Sequence, residues 1–183
     1  MTGSTGSTGS TGTFTVPYLQ ALSAPLAPSG VSFLITGYYM SQGSLAANFD
    51  NVTGVFTAPV TGVYLLTLNI TYQNNPITIN DGTRQMRFRR RWLSTEPAFI
   101  GQSTWVTLPV SPTGPFYDAF DVMLSCSAAV PIPAGGQLDV LTYQDNSQGA
   151  SIRAFTELDI SQLLVDPSLN PLLLGAPPIG PTA

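Results

Sequence analysis

The chain has 183 residues, of which 9% are charged and 43% are hydrophobic, and its formal net charge is −4. It contains one Cys and neither His nor Lys, which excludes a Ser-His-Asp or Cys-His nucleophile, a Lys Schiff base, a P-loop, an internal disulfide and the usual zinc sites. The acidic balance argues against a nucleic-acid partner, and no apolar run reaches the length of about 18 residues that crosses a bilayer.

Residues 1–13 form a repeat with Gly at every third position, namely Gly3, Gly6, Gly9 and Gly12. A collagen triple helix requires that spacing, because only Gly fits at its crowded axis. The same composition is typical of a flexible Gly-Ser-Thr linker, and the sequence leaves both interpretations open. Met1 is not followed by the basic start and apolar stretch that are typical of a signal peptide.

Residues 14–30 are predicted to be a Pro-rich lead-in, and the domain itself is predicted over residues 31–165. Short β-rich segments alternate there with turn clusters of Gly, Pro, Asn and Asp. The clearest segment runs from Gly62 to Tyr72 with a period of two, which is typical of a strand with one buried face. About eight to ten strands at this spacing indicate an all-β sandwich, barrel or jelly roll. The further predicted strands are 84–93, 98–108, 117–130, 137–143 and 151–165.

The C-terminal segment 166–183 is a Pro- and Leu-rich tail. Its prolines disfavour helix and central strand, whereas its aliphatic side chains are unusual for a free, solvated end. We expect the tail to lie extended along the domain or a neighbouring subunit, or to dock into a partner. The aliphatic residues are Leu169, Leu172, Leu173, Leu174 and Ile179.

Residues 38–68 carry aromatic and Gly residues at a specific spacing. The spaced residues are Tyr38, Phe49, Phe56, Gly62 and Tyr64, with Thr53-Gly54 before Phe56 and Ala58-Pro59 after it. This spacing resembles the signature of C1q-like domains in the C1q/TNF jelly-roll superfamily, and the collagen-like triplets ahead of it match the usual architecture of that family. The chain departs from the pattern at Ser44, where the family has Asn or Asp, and at Leu66 and Leu68, where it has aromatic residues.

The residues of this spacing also have physical roles of their own. Gly54 and Gly62 are predicted at turns, where a residue without a Cβ is tolerated at positive φ. Phe56 and Tyr64 are predicted to anchor a core between two sheets. The resemblance implies a jelly-roll β-sandwich of about ten strands that assembles as a homotrimer with its N-termini near the threefold axis. It also implies a recognition head or a structural cap, without assigning a partner.

Five of the six cationic residues lie close together, at Arg84, Arg87, Arg89, Arg90 and Arg91. On a strand, Arg87, Arg89 and Arg91 share one face, and we call these three residues the Arg stripe. Guanidinium groups suit carboxylate, sulfate or phosphate ligands, so the Arg stripe is the candidate site for an anion or an acidic glycan. The alternative is a solvated face that is paired with Asp or Glu of a neighbouring strand or subunit.

Other reactive side chains give weaker patterns. Cys126 lies on an apolar alternating face and is predicted to be a buried, inert thiol. The carboxylates form no recognisable catalytic pair or ligand-dense loop, so we expect no cofactor, although loop-tip calcium is left open at Asp81, Asp118, Asp121 and Asp145. Asn51-Val52-Thr53 and Asn69-Ile70-Thr71 match the N-glycosylation pattern.

The sequence therefore favours a non-enzymatic, homotrimeric structural or adhesive head domain on an exposed surface. A virion, a spore or cell coat, the cell surface or the extracellular matrix would fit. The first alternative is a lectin-like module that binds a protein receptor or an acidic glycan through the Arg stripe. The second is a glycan hydrolase that depends on carboxylates.

Overall fold

The computed structural model describes residues 15–73, 82–91, 99–100, 105–108, 122–145 and 149–166. This part of the chain consists of strands joined by turns, with one short 3₁₀ helix at Ala46–Asn48. The strands are β1 (Tyr18–Ser23), β2 (Leu26–Ala27), β3 (Val31–Leu34), β4 (Met40–Gln42), β5 (Phe49–Asp50), β6 (Val55–Thr57), β7 (Gly62–Gln73), β8 (Gly82–Arg90), β9 (Phe99–Ile100), β10 (Trp105–Leu108), β11 (Val122–Ile132), β12 (Gln137–Gln144) and β13 (Ile152–Val165).

The strands form two antiparallel sheets. The first sheet has the order β11-β7-β13-β1-β4, with β2 paired to β13, and the second has the order β10-β8-β12-β6-β5, with β9 paired to β8. Most neighbouring strands are distant in the sequence, as in a jelly roll and unlike a row of hairpins. β3 lies beside β12, where the Ile35 N–H donates to the carbonyl of Val140 at 2.9 Å. The predicted all-β sandwich is confirmed.

β7 is an inner strand of the first sheet, between β11 and β13. Its buried and half-exposed residues alternate along the whole strand, and the predicted strand from Gly62 to Tyr72 is one residue longer in the structure. Burying an aliphatic side chain is worth about 1.5–3 kcal/mol. A shift of the strand register by one residue would move all of these side chains to the outer face and would lose this free energy. The side chains on the inner face are Tyr64, Leu66, Leu68, Ile70 and Tyr72, all at 0% exposure.

The aromatic residues of the C1q-like spacing lie in the interior of the sandwich. Phe56 and Tyr64 meet edge to face, with 5.8 Å between their ring centroids, and Tyr38 and Phe49 do so at 4.8 Å. The Tyr64 hydroxyl donates to the carbonyl of Val60 at 2.7 Å, so its polar end is satisfied. The spacing therefore reflects packing between the sheets.

Gly54 and Gly62 are constrained in different ways. Gly54 has a φ of +71°, and a Cβ there would overlap the carbonyl oxygen of Ile35. Gly62 has no positive φ, but a Cβ would overlap the carbonyl oxygen of Leu164, beside an irregularity in β13. The prediction of a positive φ is right for Gly54 and wrong for Gly62. At Gly62 the backbones of two strands approach too closely for a side chain.

Residues 14–30, predicted as a lead-in, contain the first two strands of the domain. β1 and β2 both pair with β13, and Leu19 and Ala21 are buried. The sandwich therefore begins at Tyr18, ahead of the predicted boundary at residue 31. The prolines of this segment lie outside both strands, where they remove no hydrogen bond from the ladder.

Other strands also differ from their predicted bounds, and β8 begins at Gly82 and ends at Arg90, against the predicted 84–93. The predicted strand 98–108 is represented by two short strands, β9 and β10, and β11 extends to Ile132, beyond the predicted end at residue 130. Several predictions lie outside the described residues and stay predictions: the repeat 1–13, the tail after Asp166, and the calcium candidates Asp81, Asp118 and Asp121.

Candidate functional site

The Arg stripe lies on the outer face of the second sheet. In β8, Phe88 is fully buried, whereas Arg87 and Arg89 lie on the opposite face and are half-buried. Arg91 follows the end of β8 and remains in the ladder, because its N–H donates to the carbonyl of Gln137 at 2.8 Å. The period of two thus places the three guanidinium groups on one side of the sheet.

Arg89 is held by Asp139, which lies directly opposite it on β12. Arg89 Nε donates to Asp139 Oδ1 at 2.8 Å, and Nη2 donates to Oδ2 at 2.5 Å. The Asp139 side chain is fully buried, whereas 24% of the Arg89 side chain is exposed. The hydrogen bond to Asp139 raises the pKa of Arg89. A buried carboxylate requires such a partner, so Arg89 serves the fold through pairing with a neighbouring strand.

Arg91 has a looser contact with the same carboxylate. Its Nη1 lies 3.8 Å from Asp139 Oδ2, and 42% of its side chain is exposed. Asp139 already accepts two hydrogen bonds from Arg89, which balances its negative charge. The positive charge of Arg91 is therefore not balanced within this cluster. The cluster of these three residues therefore presents a net positive charge at the surface.

Arg87 lies at the other end of the Arg stripe. Its Nη2 donates to Ser32 Oγ on β3 at 3.1 Å. Partial burial, and then the neighbouring Arg89, lower the pKa of Arg87, yet an Arg side chain remains charged at neutral pH. The three residues of the Arg stripe thus lie in three different environments, and Arg91 is the most exposed of them.

Arg84 faces the interior and is fully buried. Its Nη1 donates to the carbonyls of Asp145 at 2.5 Å and Thr83 at 3.2 Å, and its guanidinium lies 5.8 Å from the centroid of the Tyr72 ring, within cation–π range. Burial raises the pKa of Tyr72 to about 12. Arg84 shares the phase of Phe88 on β8, so the period of two places it on the inner face, although a charged side chain is not expected in a core.

A depression with a volume of about 470 Å³ adjoins Arg91. Three of its lining residues lie in one row across the sheet. Gln137 on β12 is opposite Thr57 on β6 on one side, and on the other side its carbonyl accepts a hydrogen bond from Arg91, which directly follows β8. The depression therefore combines apolar surface with hydrogen-bond donors and hydrogen-bond acceptors. Its remaining lining residues are Ala47, Asn48, Phe49, Asp50, Thr53 and Val55.

Asp50 is fixed at this depression by a turn. Its Oδ1 accepts hydrogen bonds from the N–H groups of Val52 at 2.8 Å and Thr53 at 3.3 Å, and its Oδ2 accepts one from Thr53 Oγ1 at 2.7 Å. The Thr53 hydroxyl, followed by the backbone donors, lowers the pKa of Asp50. Asp50 therefore remains a charged acceptor with a fixed orientation at neutral pH.

The outer face of the first sheet differs from that of the second. Among the described residues, its charged side chains are Arg153, Glu157 and Asp159. Depletion of charge together with exposed apolar side chains is typical of a surface that contacts another protein. Its most exposed large apolar residues are Tyr18 (46%), Leu26 (58%), Met40 (37%), Met123 (70%), Phe155 (42%), Leu163 (47%) and Leu164 (51%).

Polar side chains cross the middle of this face. Gln42 Nε2 donates to Gln20 Oε1 at 2.5 Å, and Gln20 Nε2 donates to Glu157 Oε1 at 2.8 Å. Partial burial, and then the charge of Glu157, raise the pKa of Asp159. A second depression of about 340 Å³ lies toward one end of the face, between Met123 and Phe155.

The remaining candidates lie apart from both surfaces or are already bonded. Cys126 is 8% exposed, and burial raises its pKa to about 11, so the predicted buried thiol is confirmed. Asp145 bonds Thr83 and Arg84 through its backbone, and its calcium binding stays a prediction. Asn69 Oδ1 accepts a hydrogen bond from Ser125 Oγ at 2.7 Å. In the described part of the chain, no three His, Cys, Asp or Glu side chains gather as a metal site.

Two comparisons by sequence found no match, neither to a family model nor to a curated protein. The fold, in contrast, is similar to solved structures. The globular domain of the zebrafish complement 1qA protein matches with a TM-score of 0.56 at 13% identity, covering 83% of this chain and 100% of that domain. The Eiger TNF from S. frugiperda matches with a TM-score of 0.50 at 17% identity, covering 84% of this chain and 99% of that chain.

These similarities establish the fold class. The chain has the jelly-roll fold shared by C1q globular domains and TNF, as the resemblance carried by residues 38–68 implied. Among the described residues, no helix is both long and apolar enough to span a membrane.

Proposed function

We propose that the chain is the non-enzymatic head domain of a homotrimer and that its subunits meet through the outer face of the first sheet. The observation that carries this proposal is the exposure of large apolar side chains on that face, led by Met123 at 70%. A monomeric protein rarely exposes so many such residues on one surface. The C1q/TNF-like fold supports a C1q/TNF-type, non-enzymatic role.

The pattern of charge on this face favours contact between identical copies. Three charged side chains are spread over β13, and β7 and β11 contribute none to the outer face of the described sheet. Three copies therefore bring few like charges together, and the low charge limits the desolvation cost of burying the face. The polar side chains in its middle can bond across subunits and fix their register.

Such a trimer would serve as a structural or adhesive component of an exposed surface. The Gly-rich repeat ahead of the domain is the proposed stalk, whether collagen-like or flexible. A virion surface, a cell or spore coat, or an extracellular matrix would all use a head of this kind.

Light scattering tests the assembly. The wild-type chain is expected at three times its chain mass of 19.3 kDa at micromolar concentration. Met123→Glu and Phe155→Glu are expected to give monomers, because each places an unpaired carboxylate in the contact. Val52→Glu is the matched control, because Val52 is 77% exposed and lies in the turn between β5 and β6 of the second sheet. A monomeric wild type, or trimers of both glutamate variants, would contradict the proposal.

The second candidate function is a glycan-binding module that uses the Arg stripe. The observation that favours it is the exposed Arg91 side chain beside the depression of about 470 Å³. Because this site lies on the second sheet, ligand binding and assembly through the first sheet can operate in the same molecule.

A further inference from the structure

We infer that the depression beside Arg91 binds a sugar that carries a carboxylate, such as a uronic or sialic acid at the end of a glycan. This inference rests on the second candidate function and names its ligand class. It does not depend on the trimer, because the residues that line the depression belong to the second sheet and the segment around Ala47 that leads into it. Its volume of about 470 Å³ lies within the range of about 300–1,000 Å³ that small-molecule sites occupy.

The positive charge that a ligand can reach in this depression is that of Arg91. Arg89 is held by two hydrogen bonds to the buried Asp139, and a ligand that took it would leave that carboxylate unpaired. Arg91 reaches Asp139 only at 3.8 Å and has an exposed side chain. A ligand carboxylate can therefore form a two-point contact with Arg91 without breaking the hydrogen bonds of the cluster.

The depression also carries a negative charge with a fixed orientation. Asp50 also lines the depression and is held in its charged form by Val52 and Thr53. A carboxylate accepts hydrogen bonds from hydroxyl groups but repels a second anion. A ligand that is anionic at one end and hydroxylated elsewhere satisfies both Arg91 and Asp50, whereas sulfate or phosphate satisfies Arg91 alone.

The rest of the lining offers polar and apolar groups to a sugar ring. Gln137 Nε2 donates to Thr57 Oγ1 at 3.4 Å, a long bond that a ligand hydroxyl can replace at little cost. Ala47 and Val55 supply apolar surface against which the C–H groups of a sugar ring can pack. The combination of one guanidinium, exchangeable amide and hydroxyl groups and apolar surface matches a sugar acid.

Titration by NMR with methyl glucuronide and methyl glucoside tests the ligand class, because these probes differ in the carboxylate. The glucuronide is expected to give saturable shifts of the Gln137 and Thr57 amides and to bind at least about tenfold more tightly than the glucoside. Acetate and sulfate are expected to bind at least about tenfold more weakly than the glucuronide. Equal binding of both glycosides, or of acetate or sulfate and the glucuronide, would overturn the inference.

Substitutions test the residues. Arg91→Ala is expected to weaken glucuronide binding by about tenfold or more, and Arg91→Lys to recover part of the loss, because it restores charge but not the two-point contact. Arg153→Ala, an exposed Arg of the first sheet, is the matched control and should bind as the wild type does. Asp50→Asn should raise affinity for sulfate. An unchanged affinity in Arg91→Ala, or equal losses in Arg91→Ala and Arg153→Ala, would contradict the site.

Light scattering on the same samples keeps the two proposals separate. If the wild type and Arg91→Ala are both trimers and neither binds glucuronide, the site is wrong and the head domain stands. If the wild type is a monomer that binds glucuronide through Arg91, the glycan site stands and the trimer is wrong.

Discussion

The outer faces of the two sheets differ in the kind of side chain that they leave exposed. On the second sheet, a guanidinium and a carboxylate on adjacent strands bond each other, as Arg89 and Asp139 do. On the first sheet, apolar side chains such as Met123 and Phe155 stay exposed, although β11 pairs with β7 along its length and β13 pairs with β7 and β1. The buried charge of the second sheet is thus paired within the chain, whereas the first sheet exposes apolar surface that contact with another molecule could bury. The two proposed functions follow this difference, with self-association on the first sheet and ligand binding on the second.

The two faces are nevertheless supported by one core. β7 and β13 present their inner side chains to those of β8 and β12, and alternate residues of the same strands form the two outer faces. A substitution that changes an outer face need not disturb this core. The comparison can therefore be tested by single substitutions with matched controls.

The largest expected effect is at the buried ion pair. Arg89→Ala leaves the fully buried Asp139 carboxylate without its two hydrogen bonds and is expected to lower the free energy of unfolding by about 3–5 kcal/mol. Arg91→Ala removes an exposed side chain and should cost about 0.2–1 kcal/mol. Urea denaturation of both variants measures the difference. Equal losses would mean that the Arg stripe is a uniformly solvated face.

The second effect concerns the turn that shapes the depression. Gly54→Ala meets both the positive φ and the carbonyl oxygen of Ile35 and is expected to cost about 2–5 kcal/mol. Gly30→Ala is the matched control, since Gly30 has a φ of +76° and open space where a Cβ would lie. It should cost about 1–2 kcal/mol from the backbone conformation alone. Thermal unfolding that ranked Gly30→Ala as the more damaging change would contradict this account of the turn.

The smallest effect is a pH dependence of opposite sign on the two faces. Hydrogen bonds lower the pKa of Asp50, so its ionised form stabilises the fold above the ordinary value of 3.8, and this contribution is lost as the pH falls through the lowered pKa. Partial burial and Glu157 raise the pKa of Asp159, so its ionised form destabilises the fold at neutral pH and protonation relieves this as the pH falls.

Two Asn variants measure separately how each of these carboxyl groups contributes to the free energy of unfolding. At pH 7, Asp50→Asn should lower the free energy of unfolding and Asp159→Asn should raise it, and both differences should shrink toward pH 3. Urea denaturation below the concentration at which the chain associates measures both. The same sign for both variants at pH 7 would show that the two carboxyls do not differ in this way.

Local patterns predicted the fold well where one face of a strand is apolar. Gly62 to Tyr72 and the phase of Arg87 and Arg89 follow from a period of two, which a single strand displays in its own sequence. β1 was missed because its short alternation lies among prolines that predict a lead-in. Its position in the sheet depends on β13, more than a hundred residues later.

The candidate site was less predictable, since it depends on contacts between distant strands. Nothing in the sequence around Arg89 indicates that Asp139 lies opposite, because that pairing depends on the register of β8 and β12. The same register sets Arg91 beside Gln137, and the register of β12 and β6 adds Thr57 to the depression. The sequence therefore predicted three equivalent Arg side chains, whereas the structure distinguishes them by their partners.

Thiol labelling tests the assignment of the first sheet to self-association most directly. Met123 and Val52 are similarly exposed in the single chain, at 70% and 77%, and the native Cys126 is buried with a raised pKa. At micromolar concentration, Met123→Cys is expected to react with a maleimide at least about tenfold more slowly than Val52→Cys, and dilution below the association range should remove the difference. Equal labelling rates at all concentrations would contradict the account.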